Sequence, residues 1–248
     1  MTDTLIQITP QVWVFPHDPD PVKIQPNVGI VVTNNHTVLI DGGNSPRHAR
    51  RIMIALDDIQ APPVTHVIYT HYHWDHVFGA MVFGATVVAH ELCRKHLSEM
   101  AIKPWSNSYI QEEIQRSPAR EPILRAMARA VEDWRSFRIV QPEIIFSHAL
   151  RIYLDEMTFE LEHVGGAHSP DSIIVRVPEA RILFTGDSHY PPPPHTRKPG
   201  DGFDAGLIER FVKDERVNWI VTGHDAPRTR AEFAESSFGS KRTDRNGS

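Results

Sequence analysis

The sequence is short of cysteine, of long apolar runs and of positive charge. Its one cysteine, Cys93, excludes an intramolecular disulfide framework and a metal cluster built on thiolates. No apolar run is long enough to span a bilayer, and the first residues lack a signal-peptide pattern. The formal net charge of −5 argues against binding by phosphate neutralisation. These absences predict a cytoplasmic protein with neither a nucleic acid nor a membrane as its partner.

The composition is that of an ordinary globular protein, with 40% hydrophobic and 23% charged residues among 248. This length suits one large domain, which we place at residues 1–238. The stretch 91–138 is long, charged and helical in pattern, and it is predicted to be a helical insertion in that domain. The polar residues 239–248 are predicted to form a flexible tail.

Short segments rich in β-branched residues predict strands on both sides of the helical insertion. The predicted strands are residues 5–8, 12–15, 28–33, 37–40, 65–69, 86–89, 144–146, 150–154, 158–162, 172–177, 181–184 and 219–222. Further helices are predicted at residues 45–59 and 205–213. This order of elements favours an α+β fold in which helices lie outside two packed sheets.

Three histidines and one aspartate fall within six residues, His71-Tyr72-His73-Trp74-Asp75-His76, just after a predicted strand. In extended chain, residues i and i+2 face the same side, so His71 and His73 can share one cation. A turn after them would let Asp75 and His76 face a second cation. Imidazole and carboxylate together suit zinc, iron, manganese or cobalt. The segment therefore predicts a metal site rather than a histidine-rich surface loop.

Three further metal-ligand candidates lie at strand ends downstream of this segment. His168 follows Gly165-Gly166-Ala167 between two predicted strands, Asp187 follows Gly186, and His224 follows Gly223. One such residue alone is more typical of a polar turn. Three of them, each placed where a strand ends, predict that the same metal site collects them.

Together with Asp41-Gly42-Gly43, these residues resemble the motifs of the metallo-β-lactamase superfamily, in the same order along the chain. The resemblance implies a four-layer αββα sandwich with a dinuclear metal site at one edge. It implies that one metal is held by His71, His73 and His168. The other would be held by Asp75, His76 and His224, with Asp187 bridging both and Asp41 orienting a histidine ligand. The implied cofactors are two divalent metal ions, zinc in preference to manganese, iron or cobalt.

The activity that the resemblance implies is hydrolysis of a small ester, lactone or thioester by water that two metal ions activate. Asp75 would shuttle the proton to the leaving group. Asp187 stands where the best-known zinc β-lactamases carry cysteine, which argues against that branch. The alternatives are a mononuclear iron oxidoreductase similar to persulfide dioxygenases, a β-lactamase-type amide hydrolase, and a binding module without catalysis.

Two segments bear on the substrate. Asp187-Ser188-His189-Tyr190 resembles the Asp-x-x-Tyr of N-acyl homoserine lactonases, whose phenol faces the substrate carbonyl. Tyr190 either acts in this way or packs under the proline loop, residues 191–194, while His189 is interpreted as an exposed loop residue rather than an extra ligand-orienting group. The aromatic side chains of the insertion are predicted to pack it onto the core, with a substrate pocket as the alternative: Trp105, Tyr109, Trp134 and Phe137.

Overall fold

The computed structural model describes residues 4–238, which form two mixed β-sheets with helices on both outer faces. The inner faces of the sheets share one apolar cluster, in which Val31 of the first sheet and Phe184 of the second are both buried. Two other clusters join the outer faces to the helices. Neighbouring strand residues point to opposite faces, so Ile30 belongs to an outer cluster whereas Val31 belongs to the inner one. The predicted four-layer αββα sandwich of the α+β class is confirmed.

The first sheet contains seven strands that follow one another in sequence order. They are β1 (Ile6–Thr9), β2 (Val12–Phe15), β3 (Val28–Val32), β4 (Thr37–Ile40), β5 (Val64–Ile68), β6 (Thr86–His90) and β7 (Ile144–Phe146). Strands β1 to β4 pair antiparallel, and β4 to β7 pair parallel. The carboxyl ends of β4 and β5 therefore lie side by side, and they lead directly to Asp41 and to the segment that begins at His71.

The second sheet contains six strands. They are β8 (Ala149–Leu154), β9 (Met157–His163), β10 (Ile173–Val177), β11 (Ile182–Gly186), β12 (Trp219–Thr222) and β13 (Arg228–Thr229). Their order in space is β13-β12-β11-β10-β9-β8. Strands β11 and β12 pair parallel, so their carboxyl ends meet at one edge, where Asp187 and His224 follow them.

The described chain also contains two short 3₁₀ helices, Ala80–Val82 and Pro118–Arg120, and seven α-helices. They are α1 (Pro46–Asp58), α2 (Trp74–Val77), α3 (Glu91–Ala101), α4 (Asn107–Arg116), α5 (Glu121–Ala130), α6 (Ala205–Lys213) and α7 (Arg230–Phe238). Sequence analysis did not predict α2, α7 or the two-residue strand β13. Helix α2 has a single turn, β13 is too short to show alternation, and α7 is polar on most sides, so none carries a periodic apolar signal.

The helical insertion ends earlier than predicted, because its last helix stops at Ala130 and residues 131–138 are irregular. This irregular segment carries Trp134, which stacks on Trp105 with ring centroids 5.6 Å apart. It also carries Phe137, whose ring lies 4.6 Å from that of the fully buried Phe78. Tyr109 contacts Trp105 edge-on. The aromatic side chains thus pack the insertion onto the core, as predicted.

Three further points concern the tail, membrane-spanning helices and Cys93. The predicted tail, residues 239–248, lies outside the described residues. Within residues 4–238, no helix combines the length and the apolar character that crossing a membrane requires. Cys93 is fully buried on α3 inside the apolar cluster of the outer face, which agrees with a packing role.

Candidate metal centre

Four segments bring the predicted ligands to one edge of the sandwich. The segment that begins at His71 continues β5 and then enters α2 at Trp74. Asp187 continues β11, His224 continues β12, and His168 comes from the loop between β9 and β10. Ligands that are far apart in the sequence therefore converge because the strands that carry them end at the same edge of two packed sheets. All seven predicted ligands lie in this cluster.

The first group consists of His71, His73 and His168. The Nδ1 atom of His73 lies 3.0 Å from Nε2 of His71 and 3.0 Å from Nε2 of His168. Three ring nitrogens at such distances point at a common centre. With metal–nitrogen bonds of about 2.0–2.1 Å, neighbouring ligand atoms lie roughly 2.9 to 3.4 Å apart in octahedral or tetrahedral geometry. The first group therefore fits a single metal ion.

The second group consists of Asp75, His76 and His224. The Oδ2 atom of Asp75 lies 3.2 Å from Nε2 of His224 and 3.4 Å from Nε2 of His76. His76 is fully buried, and its Nε2 finds no hydrogen-bond partner among residues 4–238. Buried ring nitrogens normally have a hydrogen-bond partner, so an unbonded nitrogen that faces two carboxylates fits a nitrogen that binds a metal ion.

Asp187 touches both groups through one carboxylate oxygen. Its Oδ2 atom lies 3.2 Å from Nε2 of His168 in the first group. The same atom lies 3.4 Å from Nε2 of His224 and 3.5 Å from Nε2 of His76 in the second. An oxygen shared in this way fits a ligand that bridges two neighbouring cations.

Two glycines make room for this bridging position. Gly186 has a φ of +49°, so the chain turns sharply from β11 into Asp187 in a conformation that favours glycine. At Gly223 a side chain would collide with Oδ1 of Asp187, because a Cβ atom there would overlap that oxygen. The glycines that precede Asp187 and His224 are therefore needed for the geometry of the site.

Outer hydrogen bonds fix how three of the ligand rings are turned. Nδ1 of His76 lies 2.7 Å from Oδ2 of Asp41, which leaves Nε2 facing the cluster. Nδ1 of His71 lies 3.1 Å from the hydroxyl of Thr70, and Nδ1 of His168 lies 2.9 Å from the carbonyl oxygen of Pro191. Asp41 was predicted to orient a histidine ligand, and the structure places it where it can do so.

Asp41 is itself held rigidly. Its Oδ1 accepts a hydrogen bond of 2.7 Å from the backbone N–H of Thr70, and its Oδ2 accepts one of 2.9 Å from the Thr70 hydroxyl. The backbone of Asp41 has a φ of +70°, which aspartate tolerates better than most residues do. Sequence analysis missed Thr70 and Pro191, since a threonine next to a histidine and a proline carbonyl carry no recognisable motif.

The charges of the cluster are strongly coupled. Burial raises the pKa of Asp187, but His224 and His76 lower it by more than burial raises it. The pKa of Asp187 is therefore well below its usual value. Burial likewise raises the pKa of Asp75, yet His76 and His224 bring it below the usual value. Burial lowers the pKa of His224, but Asp187 and Asp75 raise it to about 10. Both carboxylates are therefore ionised at neutral pH, as ligands of a cation must be.

His73 differs from His224 in its electrostatic surroundings. Burial, together with the nearby His168, lowers the pKa of His73 to about 3. Its imidazole is consequently neutral at physiological pH, which leaves a lone pair for a metal. The donor set is imidazole nitrogen and carboxylate oxygen without thiolate, and it suits zinc, manganese, iron or cobalt.

Tyr190 lies beside the cluster, with its ring centroid 6.2 Å from that of His168 and 6.4 Å from that of His224. Its hydroxyl lies 2.7 Å from Oδ2 of Asp225, to which it donates, and 3.1 Å from the hydroxyl of Thr222. The same oxygen accepts a hydrogen bond of 3.3 Å from the backbone N–H of His224. The Tyr190 hydroxyl is thus hydrogen-bonded to the turn that carries His224. Donation to a substrate would require it to release Asp225.

His189 is not an exposed loop residue, and that interpretation was wrong. Only 3% of its surface is exposed, and its ring lies 5.6 Å from that of Phe233 and 6.0 Å from those of Phe203 and Phe211. Burial lowers its pKa to about 4. Sequence analysis could not predict this burial from the neighbouring proline loop, because the helices α6 and α7 that cover His189 come later in the chain.

A cavity of about 600 Å³ lies elsewhere, between the loop after β2 and the helices α1 and α5. Its walls include Phe15, Asn44 and Ala126, and they include none of the seven clustered ligands. The chemistry of the side chains, and not the volume of this cavity, therefore locates the candidate site.

Comparisons with known proteins agree with this architecture. The family model of the metallo-β-lactamase superfamily matches residues 22–225. A metallo-β-lactamase from Pontibacter korlensis has 18% identity and a TM-score of 0.64, over 96% of this chain and 99% of that chain. A metallo-β-lactamase from Hirschia baltica has 18% identity and a TM-score of 0.59, over 94% and 95%. The stereoselective inverting sec-alkylsulfatase Pisa1 from Pseudomonas sp. has 18% identity and a TM-score of 0.68, over 97% of this chain but 42% of that one. At these identities the likeness concerns the fold.

Proposed function

Because the chain belongs to the metallo-β-lactamase superfamily, we propose that it is a dinuclear metallohydrolase of small esters, lactones or thioesters. The observation that carries the proposal is the position of Asp187, whose Oδ2 lies within 3.5 Å of ring nitrogens from both ligand groups. A mononuclear site needs no such shared oxygen.

In this proposal each group of ligands holds one divalent cation, zinc in preference to manganese, iron or cobalt. His71, His73 and His168 would hold the first, Asp75, His76 and His224 would hold the second, and Asp187 lies beside both groups. Two neighbouring divalent cations supply Lewis acidity and make hydroxide available near neutral pH. The protein supplies the fixed directions of the ligands, through Asp41, Thr70 and the carbonyl oxygen of Pro191.

Asp75 is the proposed proton carrier. Asp75 is 6% exposed, and the neighbouring histidines hold the pKa of its carboxylate below the usual value. At neutral pH it is therefore ready to take a proton from the attacking water and pass it to the leaving oxygen. No serine or cysteine nucleophile is needed for this reaction, and Cys93 is buried within the apolar core.

The ester or lactone part of the proposal rests on the sequence Asp187-Ser188-His189-Tyr190. The solved structures of similar fold are described as metallo-β-lactamases and as a sec-alkylsulfatase, so the fold accommodates different leaving groups. A substrate panel should accordingly include sulfate esters and β-lactams beside carboxylic esters, lactones and thioesters.

The decisive experiment is elemental analysis of protein purified without chelator or added metal, followed by turnover on this panel. Two equivalents of zinc, manganese or cobalt, together with ester, lactone or thioester hydrolysis, are the expected result. One equivalent of iron, with oxygen uptake in the presence of a thiol persulfide, would favour the oxidoreductase alternative. Protein that binds neither zinc nor manganese would favour the binding module.

Two variants test the ligands directly. His73→Ala and Asp187→Ala should each abolish turnover by removing metal, while circular dichroism and the unfolding midpoint in chelator stay close to those of the parent protein. His73→Ala removes a ligand of the first group alone, whereas Asp187→Ala removes the shared oxygen, so the second variant should lose the larger amount of metal.

A further inference from the structure

Asn27, which immediately precedes β3, makes three hydrogen bonds to the turn that carries His224. Its side-chain Nδ2 donates to the carbonyl oxygen of Thr222 at 2.8 Å and to that of Asp225 at 2.6 Å. Its backbone N–H donates to the carbonyl oxygen of Gly223 at 2.7 Å. Asn27 is 3% exposed and lies about 200 residues away from the turn in the sequence. One buried residue thus holds the backbone on both sides of a candidate metal ligand.

His224 depends on its backbone more than His76, His71 and His168 do. Nδ1 of His76, His71 and His168 each lies within hydrogen-bond distance of an outer partner. For Nδ1 of His224, the described part of the chain provides no such hydrogen bond. His224 is also 27% exposed at its side chain, whereas His76 and His71 are fully buried. The direction of its ring must therefore come from the conformation of its own turn.

We propose that Asn27 is the positioning residue of His224, an inference that rests on the proposed dinuclear site. The amide of Asn27 cannot rotate to exchange its two ends, because Oδ1 accepts a hydrogen bond of 2.8 Å from the backbone N–H of His17. Both Nδ2 donors are thereby directed at the turn. The backbone N–H of His224 donates to the Tyr190 hydroxyl, so the turn is bonded to both Asn27 and Tyr190.

The test compares Asn27→Asp with Asn44→Asp. Asn27→Asp keeps the size of the side chain and the acceptor for His17, but it directs an oxygen at the two carbonyl oxygens of the turn. Asn44 is the matched control, because it is also buried, at 5% exposed, and its Nδ2 also donates to two carbonyl oxygens. These belong to Lys23 and Ile24, in the loop between β2 and β3 that contains Asn27. Among the described residues, the side chain of Asn44 bonds only Lys23, Ile24 and Ser45, and it makes no hydrogen bond to the turn at His224.

The first readout is zinc affinity, measured by competition with a chromophoric chelator. Outer partners of metal ligands typically contribute about 10- to 100-fold in metal affinity. Asn27→Asp should therefore weaken binding of the second equivalent at least tenfold while the first equivalent binds as in the parent protein. Asn44→Asp should leave both equivalents unchanged. Equal affinity in Asn27→Asp and the parent protein, or an equal loss in Asn44→Asp, would overturn the inference.

The second readout is hydrogen exchange of the backbone N–H groups in residues 222–225, measured in the presence of chelator. Exchange should be faster in Asn27→Asp than in the parent protein and unchanged in Asn44→Asp. This readout tests the role of Asn27 separately from the proposed dinuclear function. If the parent protein binds only one equivalent of metal, the dinuclear function fails, and unaltered exchange in Asn27→Asp would then also refute the role of Asn27. Should Asn27→Asp not fold, Asn27→Ala removes the donors without adding a negative charge and takes its place in both measurements.

Discussion

Replacing Asp41 by asparagine tests how the site sets the direction of a ligand. Oδ2 of Asp41 lies 2.7 Å from Nδ1 of His76 and accepts from the Thr70 hydroxyl, while Oδ1 accepts from the Thr70 backbone N–H. An asparagine has only one acceptor. If its oxygen serves the Thr70 backbone, its NH₂ group faces Nδ1 of His76. That arrangement favours the tautomer in which Nε2 carries the hydrogen, and such a nitrogen cannot bind a metal.

The other orientation of the amide is no better, because it directs the NH₂ group at the backbone N–H of Thr70. A buried donor left unsatisfied costs about 1–3 kcal/mol. The first orientation therefore opposes metal binding by His76, and the second lowers the stability of the fold around it. Loss of such an outer partner weakens metal affinity about 10- to 100-fold, which corresponds to about 1.4–2.7 kcal/mol. We expect Asp41→Asn to lower the affinity for the second equivalent of zinc by that amount.

The assay is a competition titration with a chromophoric chelator at pH 7, with thermal unfolding in chelator measured in parallel. Asp155→Asn is the matched control. Asp155 also has a positive φ and also accepts three hydrogen bonds, from Thr33 and Asn35, but it lies on the turn between β8 and β9. Parent-like affinity for two equivalents in Asp41→Asn would refute the argument. So would an equal loss of affinity in Asp155→Asn.

Three other predictions concern the hydroxyl beside the site, an ion pair and the packing of the two sheets. Tyr190→Phe should lower kcat at saturating metal while both equivalents stay bound, because the proposed lactonase-type role has its hydroxyl leave Asp225 and donate to the substrate. Asp214→Asn should lower the free energy of unfolding in urea at pH 7 by about 1–3 kcal/mol, since Oδ2 of Asp214 lies 2.7 Å from a guanidinium nitrogen of the buried Arg176. Gly29→Ala should cost about 1–3 kcal/mol in the same measurement, because the added Cβ would overlap the ring of Phe184 between the sheets.

Each of these predictions has a result that contradicts it. Unchanged kcat of Tyr190→Phe with both metals bound would refute the lactonase-type role of its hydroxyl. Burial raises the pKa of Asp214, but Arg216 and Arg176 bring it below its usual value, so its stabilisation is present above about pH 4 and is lost as the pH falls through the folded-state pKa. The difference between Asp214→Asn and the parent protein must therefore shrink in acid. For the packing prediction, Gly202→Ala is the control because its Cβ would meet nothing within 4 Å, and an equal effect there would exclude overlap as the cause.

The ligand types and the strand pattern could be predicted from the sequence because both are local. Strands β2, β4, β7 and β12 begin and end where the short segments rich in β-branched and apolar residues predict. The segment from His71 to His76 predicts a metal site by itself, since four potential ligand side chains within six residues are rarely needed for folding alone. Elements without a local signal escaped prediction, as the single turn of α2 and the polar helix α7 show.

Residues whose role depends on distant parts of the chain needed the tertiary structure. Asn27 reads as an ordinary polar residue before a strand, and its importance follows only from the approach of the turn at His224. Tyr190 shows the same limit, because the sequence places it near the site but cannot say that its hydroxyl meets Asp225.

The sequence alone thus determined the chemistry of the site, because ligand identity and strand periodicity are properties of neighbouring residues. Tertiary structure alone decided the geometry: the sharing of one Asp187 oxygen by two ligand groups, the turning of His76 by Asp41, and the burial of His189 under α6 and α7. Each of these is a contact between segments brought together by the packing of two sheets, and side-chain contacts of that kind leave no mark on the local pattern of residues.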